Sequence, residues 1–232
     1  MHKMRLAAVA LGAALACGTA QAQQQTCFPS KFGPKDQIGN ANYITPEKTL
    51  QAVKTITRGK AYRLGIENFP AFATRGILLD MAGYLNTDIV KEGTAFNRAE
   101  IEGAMKRQGV KSIDKGDVVL FYTGWTKLIG KDNKRYGSAE PGVGVGGAKY
   151  LAEKGVAAVG ADTWGVEVIP FEPNQGVFEV HQILLPMNGI YILENMDTGE
   201  MVQDRAWEFL FTLGPSRVTG AVQAIINPIA IK

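Results

Sequence analysis

Apolar and polar positions follow two rhythms along the chain, and the switch between them sets out the expected elements. Leu50, Val53 and Ile56 recur at helical spacing after Thr45-Pro46-Glu47. Threonine suits the cap. Proline is tolerated in the first turn, where an N–H has no helical partner, and Glu47 meets the positive end of the dipole. This predicts a helix that stops near Gly59. Asn97-Arg98-Ala99-Glu100 has the form of a capping box, with Ile101, Ala104 and Met105 on one face behind it and Gly109 as the stop. A shorter helix is expected over Ala148 to Lys154.

Continuous apolar runs mark the expected buried strands: Gly76 to Ala82 around Ile77-Leu78-Leu79, Asp117 to Tyr122, and Val156 to Val159. Strands alternating with helices argue for an α/β core with parallel pairing. The last third differs. Gln182 to Leu185, Ile190 to Leu193, Phe209 to Leu213 and Arg217 to Ile226 read as strands with few helices between them. The expected fold class is therefore α/β, a mixed β-sheet packed by helices.

Composition narrows the picture. Of the 232 residues 46% are hydrophobic and 20% charged, values of a globular chain long enough for one core. The net charge is +3, with no dense Lys/Arg block, so nucleic acid has no electrostatic footprint here. Lys3 and Arg5, the apolar run Leu6 to Ala16 and Ala20-Gln21-Ala22 form the three parts of a secretory signal. The expected organisation is a signal peptide over residues 1–22 and one domain over 23–232. An uncleaved N-terminal anchor is the alternative. Cleavage would leave Cys27 as the single cysteine and a periplasmic protein free of the membrane.

Candidate chemistry is sparse. Gly142-Val143-Gly144-Val145-Gly146-Gly147 follows no strand and is read as a flexible loop, not a dinucleotide motif. The chain has two histidines. His2 lies in the signal, which leaves His181. If the runs flanking Met187-Asn188-Gly189 pair as a hairpin, His181 and Glu194 share one end of the sheet, an arrangement for metal ligation or for a base and its orienter. A merely structural pair is the competing reading. Asp162 follows the run Val156 to Val159, at the strand end where open α/β sheets place ligands. Asp162, Trp164 and Glu167 are thus pocket candidates, unless Asp162 caps a turn and Trp164 packs inside.

Six blocks in order resemble the cyclase family that includes kynurenine formamidase. They are Asp36 to Glu47 (DQIGNANYITPE), Thr74 to Asp80 (TRGILLD), Gly116 to Leu120 with Thr123-Gly124-Trp125, Gly160 to Glu167 (GADTWGVE), Val180 to Leu185 with Leu193-Glu194-Asn195, and Asn227-Pro228. The resemblance implies a swivelling β/β/α fold and a small-molecule substrate. It also implies a divalent metal, Zn or Mn, that activates water for attack on an amide such as N-formylkynurenine. It gives His181 and Glu194 as metal positions, His181 and Asp162 as catalytic candidates, and Trp164, Glu167 and Trp125 as pocket residues. It suggests a homo-oligomer. The family's H-x-G-T-H-x-D-x-P segment is missing, and Leu64-Gly65-Ile66-Glu67 reads as a fusion of its two flanks. An internal deletion near 64–70 is the expectation, leaving the fold incomplete. Three outcomes follow: a metal-dependent amidohydrolase with impaired catalysis, a non-catalytic small-molecule-binding protein on the same scaffold, or a truncated pseudo-enzyme that folds poorly.

Overall fold

The computed structural model describes residues 31–33, 35, 36, 42–57, 59, 72–216, 218 and 223–232. The chain divides into two compact units, residues 1–60 and 61–232. The expected signal peptide, the fused segment near 64–70 and part of the opening block Asp36 to Glu47 lie outside the described residues. Among the described residues no helix is long and apolar enough to cross a membrane.

In the first unit, helix α1 (Pro46–Val53) starts as expected: the Thr45 hydroxyl accepts from the Lys48 N–H at 3.2 Å. It ends well before Gly59. Thr55 and Ile56 donate to Ala52 and Val53 three residues back, and these tighter bonds close the last turn.

The second unit is ordered as β1 (Phe72–Asp80), α2 (Met81–Tyr84), β2 (Ala95–Phe96), α3 (Arg98–Gln108), β3 (Val118–Tyr122), α4 (Asn133–Ser138), β4 (Gly142–Val143), α5 (Val145–Lys154), β5 (Ala158–Ala161), α6 (Glu179–Gln182), β6 (Tyr191–Leu193), α7 (Gly199–Gln203), β7 (Glu208–Leu213) and β8 (Ile229–Ile231). Six strands form one sheet in the order β6-β5-β3-β1-β7-β8. The first four are parallel, and β7 and β8 join antiparallel. The mixed α/β sheet expected from the sequence is present. Its parallel strands are buried on both faces, which is why they read as unbroken apolar runs: Ile77, Leu78, Val118, Val119, Ala158 and Val159 are all fully buried.

Several expectations are corrected. Strand β1 begins at Phe72 because β7 pairs along its first half, from Phe72 opposite Leu213 to Ile77 opposite Glu208. Strand β5 begins at Ala158, not Val156. Gly155 turns left-handed at φ 71° and Val156 donates back to Leu151, so two residues go to closing α5. The run Gln182 to Leu185 is helical: α6 passes into a π-helical turn, Ile183–Met187. No hairpin forms around Met187-Asn188-Gly189, because β6 pairs parallel with β5. Residues 218 and 223–226, the described part of the run Arg217 to Ile226, hold no strand.

The expected glycine loop is also ordered. Gly142 and Val143 form β4 beside β2, and α5 starts at Val145. The glycines are there for space. A Cβ on Gly142 would lie 2.3 Å from the Val166 carbonyl oxygen, and one on Gly147 would lie 2.1 Å from that of Phe96. Both neighbours are backbone and have little room to give. Gly147→Ala should therefore destabilise the unit by about 2 kcal/mol or more. A urea midpoint indistinguishable from wild type would disprove this account of the loop.

Candidate functional site

The carboxyl ends of β3, β5 and β6 meet at one edge of the sheet, where strand-end amides have no ladder partners and need acceptors. Asp162 supplies one. It is wholly buried, and its Oδ1 accepts from the Thr123 N–H at 2.8 Å and hydroxyl at 2.6 Å. Oδ2 accepts from the N–H groups of Gly124 at 2.8 Å and Trp125 at 3.1 Å. Burial pushes its acid constant up to about 6 against the pull of these donors. Asp162 thus fixes the turn that follows β3. Trp125 is fully buried, its indole N–H donating to the Tyr136 carbonyl at 3.2 Å and the Arg135 guanidinium lying over its ring.

Glu167 plays a similar part. Nearly buried, it accepts from the N–H groups of Val180 at 3.1 Å and His181 at 3.2 Å, capping the start of α6. This cap explains why an apolar run after His181 coils instead of extending. The same carboxylate lies 2.8 Å from His181 Nδ1. An ionised carboxylate only accepts, so Nδ1 carries a proton. On the ring's other side Nε2 faces Glu194 Oε1 at 4.0 Å. Burial alone would lower the acid constant of His181. The hydrogen bonds and charges of Glu167 and Glu194 outweigh it and raise the group to about 9, so the ring is an imidazolium at neutral pH. Phe178 packs edge-on against the ring, with centroids 5.1 Å apart.

The structure therefore brings His181, Glu167 and Glu194 together, whereas Asp162 and Trp125 are buried in the turn after β3. Trp164 is partly buried. Its indole Nε1, like Thr163 Oγ1 and Thr198 Oγ1, is buried without a hydrogen-bond partner.

Two further groups belong here that sequence reasoning did not single out. Glu140 is fully buried and accepts from the N–H groups of Trp164 at 2.8 Å and Gly165 at 2.9 Å. Burial pushes it up to about 8 against these bonds, the Glu194 charge adding to the rise and His181 opposing it. The Tyr136 phenol donates to Asn195 Oδ1, and its acid constant is raised by burial and by the charges of Glu140, Asp162 and Glu194. Glu140 stands 24 residues from Trp164 in the chain, and no local pattern links them. Among the described residues no three His, Cys, Asp or Glu side chains are grouped to hold a metal ion.

The Cyclase family model matches residues 40–168, more than half of the chain. A solved structure of a novel cyclase is similar at 29% identity and a TM-score of 0.60, with 69% of this chain and 54% of that one covered. Isatin hydrolase A from Ralstonia solanacearum is similar in fold at 16% identity and a TM-score of 0.58, covering 69% and 61%. An isatin hydrolase bound to the product analogue thioisatinate aligns at 17% and 0.55, covering 68% and 59%. The chain thus matches little more than half the length of the first of these structures. No curated protein sequence matches it.

Two outcomes test this geometry. Asp162→Ala takes the acceptor from the Thr123 N–H, the Thr123 hydroxyl and the Gly124 N–H, while the Trp125 N–H keeps Thr123 Oγ1 at 3.2 Å, and should cost about 3 kcal/mol or more in chemical denaturation; a loss below about 1 kcal/mol would contradict its role as the anchor of the turn. Glu140 has a folded acid constant raised to about 8. Its contribution to stability is whole below the unfolded value near 4.5 and is lost as pH rises through 8. Relative to Glu140→Gln, the wild type should lose stability over that window, by at most about 1.4 kcal/mol per pH unit. Parallel pH profiles for the two proteins would refute the assignment.

Proposed function

Because the chain belongs to the Cyclase family, we propose that it is an amide-bond hydrolase of the kynurenine formamidase type, acting on N-formylkynurenine or a related linear amide. The observation that carries this reading is the setting of His181. Glu167 grips Nδ1 at 2.8 Å and leaves Nε2 facing the half-exposed Glu194 at 4.0 Å. An imidazolium beside a carboxylate is an acid next to a base. In this reading Nε2–H gives a proton to the leaving nitrogen and Glu194 takes one from the attacking water.

The described residues do not fit the divalent metal that the family resemblance implies. Nδ1 of the one imidazole near the site is committed to Glu167, and Nε2 is protonated at neutral pH. Glu167, the third side chain beside His181 and Glu194, is spent on Nδ1 and on two backbone N–H groups, and no three such side chains among the described residues are arranged to hold a metal ion. Zinc and manganese sites need more ligands than this pair. The chemistry falls to the side chains, which implies slow turnover.

The same shortage of donors favours a second reading, a small-molecule-binding protein without catalysis on this scaffold. The periplasm as its compartment and self-association belong to the proposal on the sequence signals alone. The deciding measurement is formate release from N-formylkynurenine by the full chain, with and without added Mn²⁺. His181→Ala should lower the rate about 10²–10⁴-fold. Saturable binding of the substrate with no formate produced would replace the hydrolase by the binding protein. Neither binding nor turnover would sink both.

A further inference from the structure

Backbone strain gathers around His181. Among the described residues six non-glycine positions have left-handed backbone, and three of these are asparagines, which tolerate it. The others are Val166, Phe178 and Arg205, at φ 63°, 52° and 52°. Val166 immediately precedes Glu167, and Phe178 stands three residues before His181. For a β-branched or aromatic side chain such a φ is an outlier, and outliers of this kind cluster where ligands bind. The turn at Val166 carries Glu167, whose carboxylate holds the His181 ring at 2.8 Å. Phe178 has no comparable duty in the fold.

The loop before α6 is anchored by polar groups and not by the Phe178 ring. Glu172 accepts from the Asn97 side chain at 2.8 Å and from the Val145 N–H at 3.0 Å. Glu179 accepts from the Gly176 N–H at 2.7 Å, and Glu167 caps the helix that follows. Glycine at position 178 would take the same backbone without strain. A ring stands there instead, and it remains 37% exposed. It meets two other rings edge-on, Phe171 with centroids 5.3 Å apart and His181 at 5.1 Å. Its free surface therefore borders the imidazole.

The chemistry of the amide says which part of a ligand meets that surface. In an aryl formamide the leaving nitrogen is bonded directly to an aromatic ring. With that nitrogen at His181 Nε2, the aryl ring lies beside the imidazole, where Phe178 is packed. We propose that Phe178 is a specificity-determining residue, held in strained backbone so that its exposed ring packs on the aryl ring of the substrate and favours aryl over alkyl amides. An aromatic pair gains more than its buried area alone, whereas a saturated ring of the same size gains the area term only. The assignment rests on the reading of the His181–Glu194 edge as the substrate site. It does not require turnover.

The test compares formanilide with N-cyclohexylformamide on the full chain. Both carry a formamide on a six-membered ring, and they differ in aromaticity. Binding is followed by ligand-observed NMR, with formate release measured in parallel. Wild type should bind formanilide about three- to tenfold more tightly than the saturated analogue, the range an aromatic pair adds beyond burial. Phe178→Leu should weaken formanilide by the same factor and leave N-cyclohexylformamide unchanged. Phe178→Tyr, which keeps the ring, should retain the preference. Overhauser transfer between formanilide and the ring protons at position 178, identified by their displacement in Phe178→Tyr, reads the same contact without the leucine variant. The proposal is overturned if wild type binds neither probe or both equally, if Phe178→Leu keeps the preference or weakens both probes alike, or if that transfer is absent. Preferential binding of formanilide without formate release would uphold the role of Phe178 and count against the hydrolase reading alone.

Discussion

A buried carboxylate that accepts four hydrogen bonds holds the working end of this sheet together. Asp162 ends the run of β5, and its two oxygens take every free donor of the Thr123-Gly124-Trp125 turn after β3. Burying an ionised carboxylate without partners would cost many kcal/mol; with four donors the cost is offset and the turn has one low-energy shape. Gly124 shows how tight that shape is. Its φ is 78°, and a Cβ there would lie 2.3 Å from the Asp88 carbonyl oxygen. Trp125 and, through its indole N–H, the backbone of Tyr136 take their positions from this turn.

The same device recurs around the edge. Glu140 holds the amides of Trp164 and Gly165, Glu167 those of Val180 and His181, and Glu172 that of Val145 together with the Asn97 side chain. N–H groups in the loops and first helical turns beyond the strand ends have no backbone partner, and acidic side chains satisfy them. One consequence is electrostatic. An edge built from carboxylates keeps a nearby imidazole protonated, and His181 is held as the cation between Glu167 and Glu194. What shapes the loops also sets the chemistry of the one imidazole among them.

Family and donor set give different answers about this chain, and both rest on firm ground. The buried parallel strands and the family match show a Cyclase-family chain built on a six-stranded mixed sheet. The metal chemistry that the resemblance implies needs a set of histidines that this sequence does not contain. A scaffold tolerates the absence of such histidines more easily than a reaction does. Core strands depend on apolar area, which many residues share, whereas a metal site depends on a few donors at fixed distances.

The sequence by itself determined the buried strands, helix α3 with its capping box and its glycine stop, and the scarcity of imidazole. It also marked Asp162, Glu167, His181 and Glu194 as the residues to watch. Those signals are local: an apolar run, a cap, a count. Tertiary structure alone decided that the segment after His181 coils, that β6 lies parallel to β5, and that Glu140 and Tyr136 belong to the site. An apolar run as short as Ile183 to Leu185 satisfies helix and strand equally, and the choice fell to a carboxylate 14 residues away in the chain, Glu167 against the His181 backbone. Hydrogen bonds across such separations leave no periodicity in a sequence, because the partners meet only when the sheet brings the strand ends together.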